Sequence, residues 1–170
     1  AARLGAATSF VGCIGEDRFG DAAVDLWEEE AVDADDVRRT DTTHTGVGFV
    51  IVDDSGENAI SVAPGANSRL SAADVRDARE TIRSADVLLC QLETELDPVI
   101  EAAGIAADAG TEVILNPAPA RELPESLLAT VDVLTPNRGE ACILAGHDPT
   151  ADVSESSLLD ALSDLGVPGT

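Results

Sequence analysis

Short aliphatic runs that alternate with stretches of helical period constrain this chain more than any other feature in it. An apolar run of strand length, bounded by turn residues, reads as a strand buried on both faces; apolar residues three and four apart read as a helix that covers it. Residues 8–14 form the first such run, and residues 20–30 follow with Ala23, Val24 and Trp27 at helical spacing. Residues 87–92, 112–115 and 131–135 read as further short strands, and residues 71–84, 98–108, 124–129, 139–145 and 155–165 as helices. Ser71 with Asp74 three residues on has the pattern of a helix cap, and Pro98 falls in a first turn, where proline is tolerated. Strands alternating with helices imply an α/β fold with parallel strands and right-handed crossovers.

One segment breaks the alternation. Residues 45–52, the polar stretch Asp53-Asp54-Ser55-Gly56-Glu57 and residues 58–62 read as strand, turn, strand, a β-hairpin inserted in the α/β domain. Its first strand, Gly46-Val47-Gly48-Phe49-Val50-Ile51-Val52, is apolar on both faces. Either it packs wholly on its own domain, or a ligand or neighbouring chain covers the side away from the core. The layout expected is a first part of the core over residues 1–42, the hairpin over 43–64 and the continued core over 65–170, with no internal repeat or linker.

Charge narrows the function. Ten arginines and no lysine stand against 33 acidic residues, a formal net charge of −23 over 170 residues. Such a surface repels the phosphates of nucleic acid and anionic lipid, so neither is an expected partner. The 44% hydrophobic fraction is too high for a disordered chain. An acidic, lysine-free surface over small aliphatic residues suits concentrated salt, so a halophilic protein whose stability rises with salt is expected. The longest apolar runs fall well short of a membrane span, and the expected location is cytoplasmic. Cys13, Cys90 and Cys142 are far apart among aliphatic residues and read as reduced core thiols. A phosphate loop of the Gly-Lys-Ser/Thr kind is impossible without lysine, and Gly12-Cys13-Ile14-Gly15 lacks the full dinucleotide pattern, so it reads as a turn. His44 and His147 have no partner at metal-ligand spacing.

Open α/β sheets bind ligands beyond the carboxyl ends of their strands. Glu93 directly follows the run 87–92, and its carboxylate can accept hydrogen bonds from a polyol or simply be a solvated strand-end acid. Asn116-Pro117-Ala118-Pro119-Ala120 follows the next strand as a stiff loop. After the third comes Pro136-Asn137-Arg138-Gly139-Glu140. Asn137 and Glu140, three apart at a helix start, can form a phosphate-binding amide beside a carboxylate for hydrated magnesium, or equally a capping pair.

These pieces, in this order, resemble the ribokinase branch of the PfkB-type carbohydrate kinases. The likeness is carried by Gly12-Cys13-Ile14-Gly15-Glu16-Asp17 with Phe19-Gly20, Thr45-Gly46-Val47, Gly56-Glu57-Asn58, Pro64-Gly65-Ala66-Asn67, Gln91-Leu92-Glu93, residues 115–120, and Thr135-Pro136-Asn137 with Glu140. The resemblance implies a three-layer α/β/α core with a small β-hairpin lid, incomplete at both ends. A sugar-binding Asp and a Gly-Gly-Lys-Gly-Ala-Asn loop are expected ahead of Ala1. A Gly-Ala-Gly-Asp motif with the catalytic base, the adenine site and a possible monovalent-cation site are expected past Thr170. The isolated chain is therefore expected to be inactive. By the same likeness Glu93 hydrogen-bonds the sugar with Gly48 and Val50 over it, Asn137 contacts ATP phosphates, and Glu140 serves Mg2+ and the phosphates. The resemblance further implies that the lid forms a homodimer and that the reaction is ATP-dependent phosphorylation of a sugar, ribose to ribose 5-phosphate. A ketohexose, a keto-deoxy sugar acid or a nucleoside is the alternative substrate, and a non-catalytic binding or oligomerisation module is the alternative role. Three positions depart from the family pattern: Arg138-Gly139 replaces an acidic residue and Thr, and Gly48 is smaller than the usual lid residue.

Overall fold

Parallel strand pairing organises the chain on either side of one antiparallel hairpin. The computed structural model describes residues 1–52, 56 and 58–169. It divides into two units, Ala1–Asp74 and Val75–Thr170.

The first unit holds β1 (Thr8–Ser9), β2 (Gly12–Gly15), α1 (Arg18–Glu29), β3 (Val32–Asp33), β4 (Val37–Thr40), β5 (Val47–Val52), β6 (Asn58–Ala63) and the start of α2 (Ala72–Asp77). The run expected as one strand over 8–14 is two: β1 pairs with β3, and β2 with β4, both parallel. At the break the Phe10 N–H donates to the Asp33 carbonyl at 2.8 Å, and the Phe10 ring lies 4.9 Å from that of Trp27 on α1. Strands β3 and β4 were not legible as apolar runs, because Val37-Arg38-Arg39-Thr40 is mostly polar and only its backbone joins the sheet.

Asp17 starts α1 and ties it to the hairpin root. Its carboxylate accepts from the N–H groups of Phe19 (3.0 Å) and Gly20 (2.9 Å), and from the N–H and hydroxyl of Thr45 (both 2.8 Å). These bonds, Gly20 first and then Thr45, lower its pKa from 3.8 to about 2. A Cβ at Gly15 would sit 2.6 Å from the Thr45 nitrogen, so only glycine lets the end of β2 approach this segment so closely.

Strands β5 and β6 pair from Val47↔Ala63 to Val52↔Asn58. Alternation puts Gly48, Val50 and Val52 on one face with Val62 and Ile60, and Val47, Phe49 and Ile51 on the other. Both faces are open: Phe49 is 60% exposed and Val50 61%. Of the expected turn, residues 53–55 and 57 lie outside the described residues.

The second unit continues with α3 (Arg79–Ser84), β7 (Val87–Cys90), α4 (Leu96–Ala109), β8 (Glu112–Leu115), α5 (Glu125–Leu128), β9 (Val133–Leu134), α6 (Arg138–Leu144) and α7 (Glu155–Ser163). The helix expected over 71–84 breaks at Ala78. Val75, Ala78 and Ile82 are all buried, so the apolar period runs through the break. Ser71 and Asp74 do form a cap: the Ser71 N–H and hydroxyl donate to Asp74 at 2.8 and 2.6 Å.

Parallel strands in the order β7-β8-β9 form the sheet of this unit. Its core joins Val113, Leu115 and Leu134 of the strands to Ala102, Ala103 and Ala106 of α4, whose small side chains let the helix lie close, and to Leu127 and Cys142. Each fully buried leucine contributes about 1.5–3 kcal/mol relative to exposure. Gly110, at φ +80°, ends α4 in the left-handed conformation and returns the chain to β8. No helix among the described residues is long and apolar enough to cross a membrane.

Candidate active site

Because β7, β8 and β9 are parallel, their carboxyl ends lie along one edge, and the three segments singled out in the sequence all leave from it. Strands β7 and β9 are two inter-strand spacings apart, roughly 10 Å.

After β7, Leu92 is 2% exposed and anchors the loop; its N–H donates to the Ala118 carbonyl at 2.9 Å. The Glu93 N–H donates to the Gln91 side-chain oxygen. The Glu93 residue is exposed, and its carboxylate makes no hydrogen bond or ion pair with the described residues. Arg121, from the loop after β8, donates to the carbonyls of Leu92 (3.0 Å) and Thr94 (2.8 Å) on either side of it. The Asn116 N–H bonds the Cys90 carbonyl at 2.9 Å, and Pro117 is buried, so the proline loop is fastened to the end of β7. Burial pushes the Cys90 thiol up to about 11, which keeps it protonated and inert.

After β9, Asn137 and Glu140 form a reciprocal capping box on α6. Asn137 Oδ1 accepts from the Glu140 N–H at 2.9 Å, and Glu140 Oε2 accepts from the Asn137 N–H at 2.8 Å. The capping reading of this pair therefore holds, and it leaves the Asn137 amide NH2 as a donor and Glu140 Oε1 as an acceptor. Arg138, one of the departures from the family pattern, is engaged elsewhere: it donates to the Val153 carbonyl at 2.7 Å.

Gly48 and Val50 belong to the first unit, where they share one face of the hairpin. A Cβ at Gly48 would meet nothing within 4 Å. On the opposite face, Val47, Phe49 and Ala63 join Asp17, Arg18, Phe19 and His44 around a largely apolar cavity of about 360 Å3. Two residues that organise these regions had no role assigned from sequence, Asp17 and Arg121. The signal for Arg121 was its rarity: it is the one cation within ten residues of the proline loop on a chain with few.

Residues 1–166 match the model of the pfkB family carbohydrate kinases. A ribokinase of Haemophilus influenzae is 41% identical over 167 residues, covering 98% of this chain and 55% of its own length. Among solved structures, the crystal structure of Sa239 superposes with a TM-score of 0.88 at 34% identity, covering 98% of this chain and 55% of that one. The structure of Arabidopsis thaliana ribokinase complexed with ribose and ATP gives 0.79 at 28% identity, covering 99% and 54%. The chain thus spans about half the length of curated ribokinases that it matches. It has the ribokinase-like α/β fold and belongs to the pfkB family of carbohydrate kinases.

Proposed function

We propose that this chain supplies the sugar-side and phosphate-side loops of an ATP-dependent ribose kinase, which transfers the γ-phosphoryl group to the 5-hydroxyl of ribose. One observation carries the reading: a carboxylate without a partner among the described residues, Glu93, and a polar pair with spare valences, Asn137 and Glu140, stand at one edge of a parallel sheet, two strands apart. The ribokinase relatives support the choice of sugar.

Glu93 accepts hydrogen bonds from sugar hydroxyls and orients the acceptor, and Gly48 and Val50 are the hairpin residues assigned to the substrate. The Asn137 amide NH2 donates to phosphate oxygens without giving up its cap. Glu140 Oε1 is a hard oxygen suited to a water of hydrated magnesium, so the donor set fits that ion. Magnesium, when bound with ATP, neutralises charge on the transferring phosphates. The hairpin also joins two copies into a homodimer through Phe49 and Ile51, apolar residues that their own unit leaves exposed.

The test is a panel of acceptors offered to the complete kinase in an assay of ADP release: ribose, fructose, a keto-deoxy sugar acid and adenosine. Ribose is expected to give the highest kcat/KM. A tenfold or greater preference, on the scale of ~1.4 kcal/mol, for any other member would overturn the assignment.

A further inference from the structure

The loop that carries Glu93 is gripped by one side chain from the neighbouring loop. Nη2 of Arg121 donates to the carbonyl oxygens of both Leu92 and Thr94, so it holds the backbone immediately before and after Glu93. The Leu92 N–H is held by Ala118, three residues before Arg121, and the Leu92 side chain is sunk in the core. The Glu93 N–H is taken by Gln91. With the backbone fastened at each of these points, the carboxylate of Glu93 is left to its own side-chain torsions.

Stability alone is a poor account of this arrangement. Nε of Arg121 is shut away from solvent without a hydrogen-bond partner among the described residues, and a buried donor left unpaired offsets much of what the two carbonyl bonds contribute. What the guanidinium does provide is geometry: it is planar, always charged, and able to hold two carbonyls at a set separation. We infer that Arg121 is a positioning residue for sugar binding, fixing the Glu93 loop by its two flanking carbonyls. This inference rests on the reading of Glu93 as the sugar-binding carboxylate.

The test measures ribose KM, ATP KM and kcat in the complete kinase for Arg121→Met, Arg121→Lys, Glu93→Gln and the double variant Arg121→Met with Glu93→Gln. Arg121→Met is expected to raise ribose KM about tenfold with ATP KM unchanged, and Arg121→Lys to recover part of that loss. In the Glu93→Gln background the same Arg121→Met change should add less than about twofold, because the group it positions has lost its charge. Full additivity, or an equal rise in ribose and ATP KM, overturns the inference. If Glu93→Gln raises ribose KM while Arg121→Met does not, the inference alone fails. If Glu93→Gln is silent, the ribose-site reading fails and takes the inference with it. Should Arg121→Met not fold, Arg121→Gln, which keeps an NH2 donor on a shorter stem, is judged by the same criteria.

Discussion

Val113 and Val50 are the same residue in strands of similar composition, yet Val113 is fully buried and Val50 is 61% exposed. Val113 lies in a central parallel strand with a neighbour on each side and α4 packed against it. Val50 lies in a hairpin whose strands, among the described residues, pair only with each other. A two-stranded hairpin is marginal in water by itself. The difference teaches that aliphatic content alone does not assign a strand to a core. In the second unit the central strand β8 finds its cover within the unit while Leu89 of the edge strand β7 stays 71% exposed; in the hairpin the same residue types are left exposed on both faces.

The comparison breaks most visibly at the core end. Leu115→Ala, at a fully buried position, should cost about 2–5 kcal/mol in urea unfolding, whereas Phe49→Ala at a concentration where the chain is monomeric should cost no more than about 0.5 kcal/mol. Equal losses would mean that the hairpin is packed as a core strand. The Phe49 change should instead weaken self-association, read by sedimentation across a concentration series.

Asn137 sharpens the contrast between holding the fold and contacting a ligand. Asn137→Ala removes the cap of α6 and should cost about 1 kcal/mol of stability. Asn137→Asp keeps an acceptor for the Glu140 N–H and should leave stability nearly unchanged, yet it replaces the amide donor with a negative charge and should weaken ATP binding in the complete kinase. Equal ATP affinity for wild type and Asn137→Asp would remove this residue from the phosphate site.

The hairpin root should be the acid-sensitive end of the first unit. Asp17 is held at about 2 by the N–H of Gly20 and then by Thr45, so its folded pKa lies below its unfolded one. Its contribution is complete above the ordinary carboxylate range near 4, and it is lost as pH falls from there toward about 2. Melting temperature followed from pH 6 to pH 2 should therefore drop more steeply for wild type than for Asp17→Asn. Parallel curves would contradict the role given to Asp17.

A small gain in stability is expected on the hairpin face that Gly48 shares with Val50. Gly48→Ala has open space for its methyl and should stabilise by about 0.4–1 kcal/mol through loss of unfolded-state freedom. A loss of stability, measured by thermal melting, would show that the position is not open.

Much of this was legible in the sequence where side-chain pattern and backbone geometry coincide. Strands β7 and β8, helix α4 and the hairpin follow from apolar period and turn residues, and the strand-end positions of Glu93 and Asn137 follow from them in turn. Elements held by backbone pairing escaped the pattern. β3 and β4 carry charged or polar side chains, and the break at Ala78 is invisible because the buried face continues through it. At the candidate site, the carboxylate and amide could be picked out as residue types. Arg121 could not be assigned a role, because what it does depends on two carbonyls some 27 and 29 residues away.

The central claim is that the sheet edge in the second unit divides its labour, sugar at Glu93 and nucleotide phosphate at Asn137. Calorimetric titration of the complete kinase with ribose, and separately with ATP, tests it most directly on Glu93→Gln, which preserves size and removes charge. Loss of a charge-assisted bond of about 1.5–3 kcal/mol predicts ribose affinity weakened about 10- to 150-fold with ATP affinity unchanged. Unaltered ribose binding, or an equal weakening of both ligands, would contradict it.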